Sequence, residues 1–172
     1  MADFDTAIRL TLVHEGGFQK EPNDHANWSS GVIGEGELIG TKYGVTALDM
    51  PGVDIENITE DQAVQFYSER YWKQLYSQIS SQAVANKVFD MGVLLGVGEA
   101  VKLLQIVLQT SDPNLTVDSD FGNETLTELN QIDEASLLNA YKTALVAYVL
   151  RIAVNKPAER GNIGGWIKRI NS

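Results

Sequence analysis

Carboxylate chemistry is the chemistry this sequence can most readily support, and one residue is placed for it. Phe4, Ile8, Leu12 and Glu15 fall at i, i+4, i+8 and i+11, the spacing of one face of an amphipathic helix, and Gly16-Gly17 supplies the stop. Glu15 therefore ends an apolar stripe in the last helical turn. Burial takes water from its carboxyl and the negative end of the helix dipole faces it, so both effects disfavour the ionised form and are expected to raise its pKa. A carboxyl kept protonated near neutral pH is a general acid, the group an acetal needs when its leaving oxygen takes a proton. The plainer reading of the same pattern is that Glu15 fills the edge of the stripe and reaches to solvent.

Other chemistries have less to work with. His14 and His25 are the only histidines and no ligand pair stands at i, i+4 on a helix, so neither metal nor cofactor is expected. Asp118 and Asp120 lack the twelfth-position Glu of a calcium loop. There is no Gly-x-Ser-x-Gly elbow, no phosphate-cradling Gly-x-x-x-x-Gly-Lys-Ser/Thr loop and no cysteine for thiolate chemistry or disulfides.

The elements that must carry Glu15 are mostly helical. From Phe18 to Tyr43 the periodicity lapses into Gly31, Gly34, Gly36 and Gly40 among Asn and Ser, the composition of turns and at most a small hairpin. Thr59-Glu60-Asp61-Gln62 is a capping box, and the helix it opens is expected to run to about Tyr76. Val84, Val88, Met91 and Leu95 form another stripe, ended by Gly96 and Gly98, and Val101, Leu104 and Leu108 form the next. A short helix is expected at about Glu124 to Leu129. A long one through Leu137, Tyr141, Leu145, Tyr148 and Ile152 is stopped by Pro157, and a tail follows in which Trp166 packs back on the body. The class is mainly α, with five or six helices and one irregular lobe after the first.

Length and charge set the frame. A chain of 172 residues with 44 % hydrophobic content can bury a core of its own. A formal net charge of −10 repels a phosphate backbone, so no nucleic-acid partner is expected, and any polysaccharide must be held by hydrogen bonds and aromatic stacking. Met1-Ala2-Asp3-Phe4-Asp5 has acids where a secretory signal needs a basic stretch, and no later window approaches eighteen unbroken apolar residues. The expectation is a protein made in the cytoplasm without signal peptide or membrane segment, acting as a monomer.

His14-Glu15-Gly16-Gly17-Phe18, then Pro22-Asn23-Asp24, then Gly40-Thr41-Lys42-Tyr43-Gly44-Val45-Thr46 resembles the opening of glycoside hydrolase family 108, the N-acetylmuramidases found among phage endolysins and prophage-like genes. Tyr71-Trp72, Val88-Phe89-Asp90-Met91-Gly92-Val93, Val117-Asp118 through Phe121-Gly122, and Gly165-Trp166-Ile167-Lys168-Arg169 are similar to the family's C-terminal, peptidoglycan-binding half. The resemblance implies a lysozyme-like helical domain with a small Gly-rich irregular or β-hairpin lobe. Residues 1–80 would form the catalytic half and 81–172 the wall-binding half, packed as one unit. It implies hydrolysis of the β-1,4 bond between N-acetylmuramic acid and N-acetylglucosamine at the bacterial cell wall, with Glu15 as acid and peptidoglycan as partner.

By the same analogy Thr41, Tyr43 and Thr46 line the cleft. Asp24 is the nearest candidate for a second carboxylate, with Glu21, Glu35 and Glu37 in the same lobe, and Trp28 stands there as a platform for a sugar. The chain departs from the family in a longer His25 to Leu38 segment, in Lys42 for Asn, in Leu94-Leu95 for Asn-Ser and in Ser119 where an Asp-Gly turn is usual. The substitutions at Lys42, Leu94 and Leu95 keep a second reading in play, a non-catalytic cell-wall-binding or secretion-accessory protein on the same fold.

Overall fold

The computed structural model describes the whole chain, Met1 to Ser172. Seven helices, one more than the upper expectation, are joined by irregular segments: α1 (Phe4–Glu15), α2 (Glu60–Tyr71), α3 (Gln82–Leu95), α4 (Val97–Leu108), α5 (Asn123–Leu129), α6 (Glu134–Asn155) and α7 (Ile163–Asn171). The one sheet is an antiparallel hairpin of β1 (Thr41–Lys42) and β2 (Val45–Thr46). At 61 % helix the mainly α class holds. The chain divides into two compact units, Ile8–Arg70 and a second made of Met1–Ala7 with Tyr71–Ser172.

In the unit Ile8–Arg70, most of α1 is followed by the irregular lobe, the hairpin and α2. The lobe has few apolar groups, so buried polar bonding does the work of a core. Asn27 is fully buried and is its hub. Its side-chain amide donates to Gln19 Oε1 at 2.8 Å and to the Glu21 carbonyl at 3.0 Å, while its Oδ1 accepts from Gln19 Nε2 at 3.1 Å and Thr41 Oγ1 at 2.7 Å. The capping box of α2 forms as expected. Gln62 N–H donates to Thr59 Oγ1 at 3.2 Å and Thr59 N–H to Gln62 Oε1 at 2.8 Å, which satisfies two amides that the helix cannot.

In the other unit, α3 and α4 meet at Gly96, whose φ of +89° ends the first and begins the second. Gly98, expected as part of the stop, instead lies in the first turn of α4. Ser81 and Asp133 cap α3 and α6 by accepting the amides of Val84 at 3.1 Å and Ser136 at 3.0 Å. By length and composition α6 could cross a membrane; here Leu137, Tyr141, Leu145 and Val149, one stripe of it, are buried in the helical core. Phe4 joins this core from the N-terminal segment, stacking edge-on with Trp72 at 5.4 Å and Phe89 at 5.7 Å between ring centres.

Two expectations need correction. α2 stops at Tyr71 rather than about Tyr76, because Lys73 turns extended and a separate 3-10 turn, Gln74–Gln78, delivers Tyr76 fully buried beside Trp72 and Phe121. Core packing overrides the helical period there. The C-terminal segment packs Trp166 on the core as expected, but it does so as helix α7 rather than as a tail, despite Gly164-Gly165. Ile163, Trp166, Ile167 and Ile170 fall at i, i+3, i+4 and i+7 and all meet the core. Two lysines then hold its last carbonyls: Lys87 Nζ donates to Arg169 O and Lys142 Nζ to Asn171 O, each at 3.1 Å. Arg169 itself pairs with Asp90 at 2.9 Å.

Candidate active site

The site is assembled by a helix end and a tight turn. Helix α1 closes with Glu15 as its last residue, and Gly16 follows at φ +67°, the left-handed C-terminal stop that the Gly-Gly pair foretold. The hairpin register pairs Thr41 with Thr46 and Lys42 with Val45, which leaves only Tyr43-Gly44 as the turn. Both turn residues have positive φ, +52° and +74°, as the two-residue turn that matches strand twist requires. Glycine accepts that conformation freely, whereas a tyrosine there costs about 1 kcal/mol and must be held. Tyr67 of α2, buried to 2 % exposure, donates its hydroxyl to the Tyr43 carbonyl at 2.9 Å. Lys42 Nζ lies 5.5 Å over the Tyr43 ring and donates to Glu56 O at 2.8 Å.

Gly44 is where these parts converge. A β-carbon there would stand 2.5 Å from Glu15 Oε2 and would collide with the Tyr67 hydroxyl. Backbone of the turn, the carboxyl and the phenol are therefore packed against one another, and Glu15 Oε1 is shielded from solvent. The turn thus limits where the half-buried carboxyl can sit, which is the first requirement of a group that delivers a proton to a defined atom.

The remaining sequence-predicted residues lie in the same unit but face different tasks. Asp24 caps the 3-10 turn His25–Asn27 by accepting the Ala26 amide at 3.0 Å and also accepts from Gln19 Nε2 at 3.2 Å. Thr41 gives its hydroxyl to Asn27. Thr46 gives its own to Asp49 Oδ2 at 2.8 Å, and Asp49 also takes the Thr46 amide at 3.1 Å. Trp28 is half-buried, with its indole N–H on the Pro22 carbonyl at 2.8 Å and its backbone bridged to Leu38. Tyr43 alone of this set belongs to the turn that Glu15 touches.

Tyr67, Gly44, Asn27 and Asp49 escaped sequence reasoning. Tyr67 was visible only as an apolar position at helical spacing, and its hydroxyl had no partner to suggest. The Tyr-Gly dipeptide between two Thr-Lys and Val-Thr pairs was the one available signal of a two-residue turn.

The model of the family described as Glycosyl hydrolase 108 matches residues 8–96. The chain belongs to that family. A second model, described as Predicted Peptidoglycan domain, matches residues 99–171, so the two account for nearly the whole chain. This glycosyl hydrolase 108 member is thus a glycosidase-family protein with peptidoglycan as its polymer partner. Among solved structures it is similar to one described as "Structure of Brucella abortus SagA", with a TM-score of 0.68 and 19 % identity, over 97 % of this chain and 92 % of that one. At that identity the likeness is one of fold, and the fold is the lysozyme-like helical one expected. No curated protein sequence matches the chain.

Proposed function

We propose that this glycosyl hydrolase 108 member is an N-acetylmuramidase that hydrolyses the β-1,4 bond between N-acetylmuramic acid and N-acetylglucosamine, with Glu15 as general acid. The observation that carries the reading is the packing of the Glu15 carboxyl against Gly44 and Tyr67, at the end of α1. In the reaction the Glu15 carboxyl gives its proton to the bridging oxygen, the bond from that oxygen to the sugar's anomeric carbon breaks, water bonds to that carbon to make the new reducing end, and the proton that water releases passes to solvent, from which the Glu15 carboxylate is reprotonated. Tyr43 and Trp28 present half-buried aromatic rings to the glycan, while Asp24, Thr41 and Thr46 brace the lobe that carries them. With a net charge of −10 the protein gains nothing from bulk attraction to an anionic wall polymer, so such contacts must supply the affinity.

A second reading, wall binding without turnover, is favoured by one observation: Asp24, Thr41 and Thr46 are each engaged in hydrogen bonds inside their own unit. Digestion of purified peptidoglycan followed by mass analysis of the released ends separates the two. New reducing N-acetylmuramic acid ends are expected, and Glu15→Gln, which keeps size and polarity but not the acid, should lower the rate by orders of magnitude while binding and melting temperature are retained. Reducing N-acetylglucosamine ends would mean a different bond, no release from the native chain would mean the binding reading, and a Glu15→Gln variant with most of its rate would remove Glu15 from the mechanism.

A further inference from the structure

On the unit Ile8–Arg70, α2 presents a second face that the candidate active site does not use. Tyr67 points to the hairpin turn, whereas Gln62, Gln65, Phe66, Glu69 and Arg70 line an open groove of about 630 Å³, closed on its other side by Asp49, Met50, Pro51 and Val53. These α2 positions are i, i+3, i+4, i+7 and i+8, one continuous stripe of the helix. A space of this size accommodates a small organic ligand. The groove and Glu15 are tied by short links, since Asp49 holds Thr46 of β2 and α2 holds Tyr43 through Tyr67.

The lining selects the chemistry of the occupant. Its apolar lining is the thioether of Met50 and the aliphatic Pro51 and Val53, and the one ring, Phe66, already has the Arg70 guanidinium 5.5 Å from its centre and Tyr67 edge-on at 5.3 Å. A sugar needs an open aromatic face to stack on, and none is left here. An extended aliphatic chain needs only the apolar lining. The rim carries both signs of charge: the carboxylates of Asp49 and Glu69, and the guanidinium of Arg70. Arg70 is 55 % exposed and reaches Asp49 only at 3.7 Å, so this loose ion pair holds little energy and yields easily to a ligand carboxylate that can take two N–H groups at once. Glu69, whose carboxylate takes the Gln65 amide at 2.9 Å, remains able to accept an ammonium.

We infer that this groove binds the peptide stem of peptidoglycan through a residue whose aliphatic side chain ends in charged amino and carboxylate groups. The aliphatic part lies on Met50, Pro51 and Val53, the carboxylate on Arg70, and the ammonium on Asp49 and Glu69. The inference rests on peptidoglycan being the substrate, and it makes the enzyme a reader of peptide-bearing strands rather than of glycan alone.

Two soluble probes test it with the full chain: the peptidoglycan disaccharide carrying a diamino-acid tetrapeptide, and the same disaccharide without peptide. Binding is followed by titration calorimetry and by amide shifts. The peptide-bearing probe is expected to bind about tenfold more tightly, with shifts concentrated in residues 49–53 and 62–70. Arg70→Gln and Glu69→Gln, both on exposed side chains, should each bring the ratio of the two dissociation constants toward one. Equal binding of the two probes overturns the inference, as does a preference that both variants retain or that shifts residues outside the groove. A chain that prefers the peptide probe yet releases no reducing ends defeats the proposed muramidase activity and leaves the groove standing; cleavage without peptide preference does the reverse.

Discussion

Glu15 and Gly44 stand so close that the absent side chain of the glycine is the space the carboxyl occupies. An added methyl would be forced against Glu15 Oε2 and the Tyr67 hydroxyl, in a backbone conformation at φ +74° that alanine also resists. Gly44→Ala should therefore cost about 1–3 kcal/mol of stability and displace the carboxyl, lowering the rate by more than the loss of folded protein explains. Thermal melts and peptidoglycan turnover on one preparation check this. A variant with native rate per folded molecule would show that the carboxyl's position is not set by the turn.

Ser119 sits at φ +70°, the left-handed region that favours glycine. Its amide donates to Gln105 Oε1 at 2.9 Å, and that fully buried glutamine also takes the Asp118 amide and donates to Asp118 Oδ1 and Asp120 O, so the loop cannot relax. Ser119→Gly keeps these backbone bonds and removes the strain. A gain of about 1 kcal/mol, or roughly 2 °C in melting temperature, is expected.

Tyr76 is completely buried among Trp72 and Phe121, and its hydroxyl has no hydrogen-bond partner. Burial alone drives its pKa far upward. Removing an unsatisfied buried hydroxyl while keeping the ring relieves its desolvation, so Tyr76→Phe should leave stability unchanged or raise it by about 1 kcal/mol. Chemical denaturation measures this, and a loss of more than that amount would reveal a partner for the hydroxyl.

Lys87 is buried beside Asp90, Lys142 and Arg169. Burial lowers its pKa from 10.5 to about 8; Asp90 opposes the shift, and Lys142 and Arg169 add to it. The unfolded chain keeps this proton up to about 10.5 and the folded one only to about 8, so between those values the unfolded state binds more protons and stability rises with pH. Below about 8 the whole cost is present, on the order of 3 kcal/mol. Lys87→Met should remove this slope from denaturation curves taken at pH 8 to 10.5. It should also raise stability at pH 7 by about 2 kcal/mol, less than the full cost because the bond to Arg169 O is lost.

Periodicity and capping made much of this legible. The stripe from Phe4 and the Gly-Gly stop located the end of α1 at Glu15, and Thr59 with Gln62 located the start of α2, because these rules act within a few residues along the chain. What escaped depends on partners far away in sequence. Helical spacing marks Tyr67 as inward but cannot say that its hydroxyl meets the Tyr43 carbonyl, 24 residues back. Asn27 reads as a turn residue, and only the fold reveals it as a fully buried hub. Gly164-Gly165 argues against a helix locally, yet Trp166, Ile167 and Ile170 gain enough on the core to form one.

Residues 1–7 belong with Tyr71–Ser172, and Ile8–Arg70 is threaded between them. On a ribosome the order of events follows. Ala2, whose amide will bond the Ser77 carbonyl, and Phe4, whose ring will meet Trp72 and Phe89, emerge before those partners do. At about 5–20 residues per second they wait several seconds while the inserted unit is made. That unit can collect its own hairpin and Asn27 network meanwhile, which shortens the effective loop between the waiting segment and its partners and lowers the entropy lost when they finally join.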